Sequence, residues 1–290
     1  MSGLLTEMAQ SSLERLEAAR ANETEQALWS RAVDAPPAPP LKLSLEGFDL
    51  IAECKLHSPS MGNLSGNTTD VESRVVAYAQ GGAAAVSVLT EPQRFGGTLE
   101  HLARAAQILA PYHVPTMRKD FLVDPYQVME ARVAGAGGVL VIARMLEPCH
   151  ITALLDCAAM LKMFVLLEAF DAEDLKVVKE VLAARPGHSE QVLVGLNCRD
   201  LETLAINIER FGELAREMPG QFTSVAESGV GSTADVVRIV EWGYNIALIG
   251  TTLMNTPEPR KLVADLLACG REKALSMNTR RLQALQVPRV

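Results

Sequence analysis

FVLLEAFDAEDLKVVKEVLAARPGHSEQVLVGLNCR, residues 164–199, is the stretch whose periodicities decide the fold. It opens on a short, apolar, branched run, Phe164–Leu167, of the length of a buried strand. Asp171–Ala184 then places Leu175, Val178 and Leu182 at helical spacing, and a second apolar run, Val192–Leu196, closes the stretch. Two strands apolar on both faces with an amphipathic helix between them make a parallel βαβ unit, because parallel sheets are covered on both sides.

The same alternation extends in both directions. Apolar runs at Leu50–Cys54, Ala84–Leu89, Val114–Met117 and Val139–Ile142 come before, and Phe222–Ala226 and Ile246–Ile249 come after. Helical segments such as Pro125–Ala134 and Thr233–Trp242 lie between them. Eight such units predict an α/β fold, a (β/α)8 TIM barrel; an open doubly wound sheet is the other arrangement of the same units. Residues 1–45 read as an N-terminal helical extension, with Leu4, Leu5, Met8, Leu13 and Leu16 spaced for a helix, and a Pro-rich linker at 35–40. The barrel is assigned to 46–270, its last helix running from Pro259 to about Leu267. Residues 271–290 carry Arg271, Lys273, Arg280, Arg281 and Arg289 and read as a basic tail or a short extra helix.

Composition narrows the function. Hydrophobic residues make up 48% of the 290 and aromatics only 4%, so the core is built from Val, Ile, Leu and Ala. A net charge of −8 excludes a generally basic nucleic-acid surface but leaves room for a local positive pocket. Five cysteines without close pairs argue for reduced thiols rather than zinc or disulfides, and the five histidines have no metal-ligand spacing. The acidic N-terminus is not a secretory signal, and no apolar run reaches the roughly 18–20 residues of a membrane span. A cytoplasmic protein is expected, monomeric or a weak homodimer, without nucleic-acid or membrane partners.

In such a barrel the functional end lies at the carboxyl ends of the strands. Polar residues collect there: Glu53, Lys55 and Ser58 at the first, Lys119 and Asp120 at the third, and Glu168 at the fifth. Asn197 and Arg199 follow at the sixth, Glu227, Ser228 and Gly229 at the seventh, and Gly250, Thr251 and Thr252 at the eighth. Each alone reads more readily as a solvated loop residue, but a closed barrel brings all of them to one mouth. Glu53 and Lys55 alternate by two and face the same side, either as functional groups or as a structural ion pair. The glycine-containing seventh and eighth loops suit phosphate, since backbone N–H groups can approach an anion closely, and Ser58 adds a hydroxyl. Cys198 either lines the mouth or points behind it, and no base partner for a nucleophilic thiol is identifiable.

At these residues the chain resembles the indole-3-glycerol phosphate synthase family. The matching segments are IAECKLHSPS (51–60), VSVLTEPQRFGGTLEHL (86–102), PTMRKDFLVDPYQVMEARVAGA (115–136), LLEAFD (166–171), GLNCRDLET (195–203), AESGV (226–230) and LIGTTLM (248–254). The resemblance implies a phosphorylated small-molecule substrate, 1-(2-carboxyphenylamino)-1-deoxyribulose 5-phosphate, converted without metal or organic cofactor. It implies Lys119 as general acid for ring closure, Glu168 and Lys55 as proton carriers in dehydration, and Glu53 as the group that holds the lysines. Asn197 and Glu227 would position the substrate, with Arg199 and Ser228 beside them. Phe95 and Phe121 would hold the anthranilate ring, and Ser58, Gly229, Gly250 and Thr251 the phosphate. Cys198 and Met61 depart from the family pattern. The competing expectations are a phosphoribosylanthranilate isomerase, whose Cys–Asp pair this residue set does not match, and a catalytically silent paralogue that binds a phosphorylated ligand or a partner protein.

Overall fold

The computed structural model describes residues 3–54, 57–58, 62–63, 68–187, 191–201 and 203–286. Eight parallel strands close into a barrel in sequence order. They are β1 (Asp49–Cys54), β2 (Ala85–Leu89), β3 (Thr116–Lys119), β4 (Gly138–Ile142), β5 (Phe164–Ala169), β6 (Val192–Asn197), β7 (Thr223–Glu227) and β8 (Ile246–Ile249). β1 pairs with β8, Ala52 opposite Ile249, so the sheet has no free edge and is not the open doubly wound form.

Side chains alternate between two cores. Ile51, Met117, Leu140, Leu166, Leu193, Val225 and Ile246 fill the barrel interior. Val86, Val139, Val165, Val194, Ala226 and Ile249 face the helices. Because both faces are dry, the strands read as unbroken apolar runs. β3 lies two residues later than the apolar run suggests: Val114 and Pro115 precede it, and the polar pair Arg118–Lys119 belongs to the strand, with Lys119 opposite Leu89.

The helices start where local chemistry allows. Asp124 caps α6 (Pro125–Val133), which begins on proline, and Asp171 caps α8 (Ala172–Ala183) through two backbone N–H groups. The final helix, Pro259–Gln286, passes Leu267 without a break. Its Arg271 donates to the Phe48 carbonyl and pairs with Asp49 at 3.2 Å, tying it to the start of β1.

The N-terminal extension is part of the same body. Helix α1 (Gly3–Asn22) crosses the carboxyl-terminal rim, with Leu5 packed into the interior cluster. Helix α2 (Glu25–Asp34) packs on α6, and Arg132 of α6 donates to the carbonyls of Ala35 and Pro36 at 2.7 and 2.8 Å, docking the start of the linker. Among the described residues no helix is long and apolar enough to cross a membrane.

Candidate active site

A cavity of about 490 Å³ opens at the carboxyl ends of the strands. Lys119 ends β3, Asn197 ends β6 and Glu227 ends β7, while Glu53 and Glu168 are the penultimate residues of β1 and β5; all five line the cavity. The β6–β7 register sets Asn197 opposite Glu227, and Glu168 lies opposite Gly195. The strand period thus aims residues scattered over 175 positions at one space.

The Lys119 ammonium donates to Glu168 Oε2 at 3.4 Å and to Glu227 Oε2 at 3.5 Å, and Asn197 Nδ2 donates to the same Glu168 oxygen at 3.4 Å. Burial pulls the Lys119 ammonium toward the neutral form, but the charges of Glu168, Glu227 and Glu53 outweigh it and hold the proton more tightly than in water. Glu227 lies well above the usual carboxylate range, first because it is buried and then because Glu168 adjoins it, against the pull of Lys119. Among the described residues its Oε1 has no hydrogen-bond partner.

Two glycines make room for these acids. A Cβ on Gly195 would collide with Glu227 Oε1, and one on Gly250 would collide with Glu53 Oε1. Gly250 therefore has a steric duty besides the one its loop suggested.

Phe95 and Phe121 enter from adjacent loops, ring centroids 6.5 Å apart and tilted by 31°. Phe95 ends a single helical turn, α4 (Pro92–Phe95), whose first N–H groups, at Gln93, Arg94 and Phe95, all donate to the buried Glu91 carboxylate at 2.7–3.2 Å. On the opposite wall Ser228 and Gly229 both adopt positive φ, 68° and 76°. A side chain on Gly229 would strike Ile206 and the Cys198 sulfur, so only glycine suits that turn. Thr251 opens a short helix, α11 (Thr251–Asn255), directly after Gly250. The Arg199 backbone N–H donates to Asn197 Oδ1 at 3.1 Å, and its guanidinium donates to the Leu204 carbonyl at 2.9 Å.

Lys55 lies outside the described residues, as does the Ser58 side chain. Met61 also lies outside them, and every other residue that the sequence assigned to catalysis or substrate binding lines the cavity. Cys198 does not: fully buried, it packs in the outer core behind the loop, its thiol pushed up to about 11 by burial and donating to the Ser228 carbonyl. That placement settles the open choice, and it makes the thiol a poor nucleophile.

Sequence reasoning missed the apolar walls. Leu4 and Leu5 of α1, Leu140, Ile142, Phe170, Leu201, Leu204 and Ile206 belong to the lining. In the sequence they are indistinguishable from core residues; only the half-exposure of Leu204 and Ile206 on a turn marks them.

The family model described as Indole-3-glycerol phosphate synthase matches residues 5–266. A protein of that name from Rhodococcus jostii (strain RHA1) is 38% identical over 246 residues, 84% of this chain and 87% of its own. Another from Kineococcus radiotolerans is 40% identical over 229 residues, 79% of each chain. The solved 3-hexulose-6-phosphate synthase from Salmonella typhimurium aligns with a TM-score of 0.57 over 79% of this chain and 99% of its own, at 13% identity, a likeness of fold alone. On sequence, the chain belongs to the indole-3-glycerol phosphate synthase family.

Proposed function

We propose that this chain closes the pyrrole ring of indole-3-glycerol phosphate from 1-(2-carboxyphenylamino)-1-deoxyribulose 5-phosphate, releasing carbon dioxide and water. The observation that carries this reading is one ammonium, Lys119, held protonated between Glu168 and Glu227 in a cavity that also has aromatic and aliphatic walls, Phe95, Phe121, Leu140 and Phe170 among them. An aryl ring would pack against the faces that Phe95 and Phe121 turn to the cavity, and a phosphate suits the turns at Gly229 and Gly250–Thr251, with Ser58 as a further donor. Arg199 and Ser228 lie between, beside the acyclic hydroxyls.

In the first step the ring carbon bearing the carboxylate attacks the substrate ketone. The new carbon–carbon bond forms as the carbonyl electron pair moves to oxygen, which takes a proton from Lys119. A group that gives its proton only to a developing alkoxide stabilises the transition state more than the ground state. Carbon dioxide then leaves and its bonding pair restores aromaticity. The new hydroxyl departs as water while a base, assigned to Glu168, removes the neighbouring C–H proton. Lys55 would protonate the departing hydroxyl, and Glu53, Asn197 and Glu227 would fix the orientation of the lysines and the substrate.

The test is a fluorescence assay of indole product with purified protein. Wild type should turn over the carboxyphenylamino substrate, and Lys119→Ala should abolish turnover while keeping the fold and most substrate binding. Near wild-type turnover in that variant would remove Lys119 from its role. A wild-type protein that binds the substrate without converting it would favour a silent binding paralogue.

A further inference from the structure

The strongest polar cluster outside the proton-transfer set sits behind Lys119 and reaches into the N-terminal helix. Asp120, with a side chain 0% exposed, follows Lys119 directly and precedes Phe121. Arg15 of α1 grips both of its oxygens, Nη1 to Oδ2 at 2.9 Å and Nη2 to Oδ1 at 2.8 Å. The same carboxylate accepts from the Thr90 hydroxyl at 2.8 Å, from Arg118 Nη2 at 3.0 Å and from the Phe121 backbone N–H at 2.8 Å. Thr90 in turn donates its backbone N–H to the Lys119 carbonyl at 3.1 Å.

One carboxylate therefore fastens three segments: the exit of β2 toward Phe95, the exit of β3 with Lys119 and Phe121, and α1. The charges balance only with Arg15 present. Arg118 is also paired with Glu130 at 3.0 Å, so Arg15, Asp120, Arg118 and Glu130 sum to zero, and loss of Arg15 leaves a net negative charge in a nearly dry group. Ten residues earlier on the same rigid helix, about 15 Å away, Leu5 is buried in the cavity wall.

We propose that Arg15 is a positioning residue for the reaction. Through Asp120 it sets the place of Lys119 and Phe121, and through α1 it sets the place of Leu5, so seating the helix and assembling the proton donor beside the aryl pocket are one event. As a statement about catalysis this rests on the function proposed above; as a statement about geometry it does not.

The experiment uses the full chain and four variants: Arg15→Met, Arg15→Lys, Phe121→Leu and the Arg15→Met/Phe121→Leu double. Arg15→Met should lower kcat/KM on the order of ten- to a hundredfold, the scale of small misplacements of a reacting group. Arg15→Lys keeps the charge but loses the two-pronged grip, and should fall between. In the Phe121→Leu background the further loss from Arg15→Met should be smaller than in wild type, the part carried by Phe121 being gone and the part carried by Lys119 remaining, while its effect on melting temperature stays undiminished. Multiplicative losses of kcat/KM, or an unchanged kcat/KM in Arg15→Met, would overturn the proposal. If Arg15→Met does not fold, Arg15→Lys takes its place in the same cycle. Hydrogen exchange separates this idea from the function: the amides of Phe121 and Leu5 should exchange faster in the Arg15 variants whether or not the wild type turns over. Unchanged exchange at both sinks the inference, whereas absent wild-type turnover sinks only the proposed function.

Discussion

Lys119 and Asp120, neighbours in sequence, are pushed in opposite chemical directions by what surrounds them. Three carboxylates keep Lys119 an ammonium; for Asp120, burial works to raise the carboxyl, but Arg118 and Arg15 overcome it and lower it from 3.8 to about 2. The consequence for stability has a definite sign. Because the folded value lies below the unfolded one, the unfolded chain binds more protons between about pH 4 and 2, and the contribution of Asp120, full above that window, is lost as pH falls through it. Asp120→Asn should flatten the fall in melting stability across that window relative to wild type; an equally steep fall would assign acid unfolding to other groups. Gly195→Ala tests the notch beneath Glu227. The added methyl must displace the carboxylate, so kcat should drop by about a hundredfold, the cost of a small misplacement at a reacting centre, with a much smaller change in melting temperature. A variant with kcat intact would show that Glu227 need not sit where it does.

At the level of elements, strand ends carry the chemistry because a strand aims alternate side chains inward while its neighbours hold its register. Glu53, Glu168 and Glu227 were legible for that reason: each breaks an apolar run at its end. The short helix α4 was not legible. Its four residues have no period to detect, and Glu91 looks like any loop acid until its carboxylate is seen to accept three successive N–H groups. Glu91→Ala should unfasten that turn, costing about 1–3 kcal/mol for the lost charge-assisted bonds and raising KM severalfold as Phe95 loosens. Equal KM values would mean that Phe95 is held by other contacts. The two-residue displacement of β3 has a similar origin. Burial of Arg118, whose guanidinium is satisfied by Thr90, Gln127, Asp120 and Glu130, lets a charged pair lie inside a strand where the sequence suggested its end.

Over the whole molecule, function and stability divide between the two ends of the barrel. At the amino-terminal end Arg271 of the last helix pairs with Asp49, whose carboxyl is raised by burial, and donates to the Phe48 carbonyl where β1 begins its seam with β8. Arg271→Met should destabilise the fold by about 1–3 kcal/mol yet leave kcat/KM unchanged, since Arg271 does not line the cavity. A loss of activity beyond that of stability would break this division.

The alternation of apolar runs and amphipathic segments determined eight parallel strands covered by helices without help, since strand and helix periods are set by the local backbone and by which face must be dry; that the sheet closes rather than staying open was decided by the pairing of β1 with β8. The same alternation placed the acids and Lys119 at strand ends, and short ordered segments assigned the family. Only the folded chain decided that α1 closes the rim, that Arg15 meets Asp120 across 105 residues, and that Lys119 keeps its proton. Those facts depend on distances between segments whose separation along the chain carries no trace of their meeting, and on a low-dielectric enclosure that exists only once the barrel has closed.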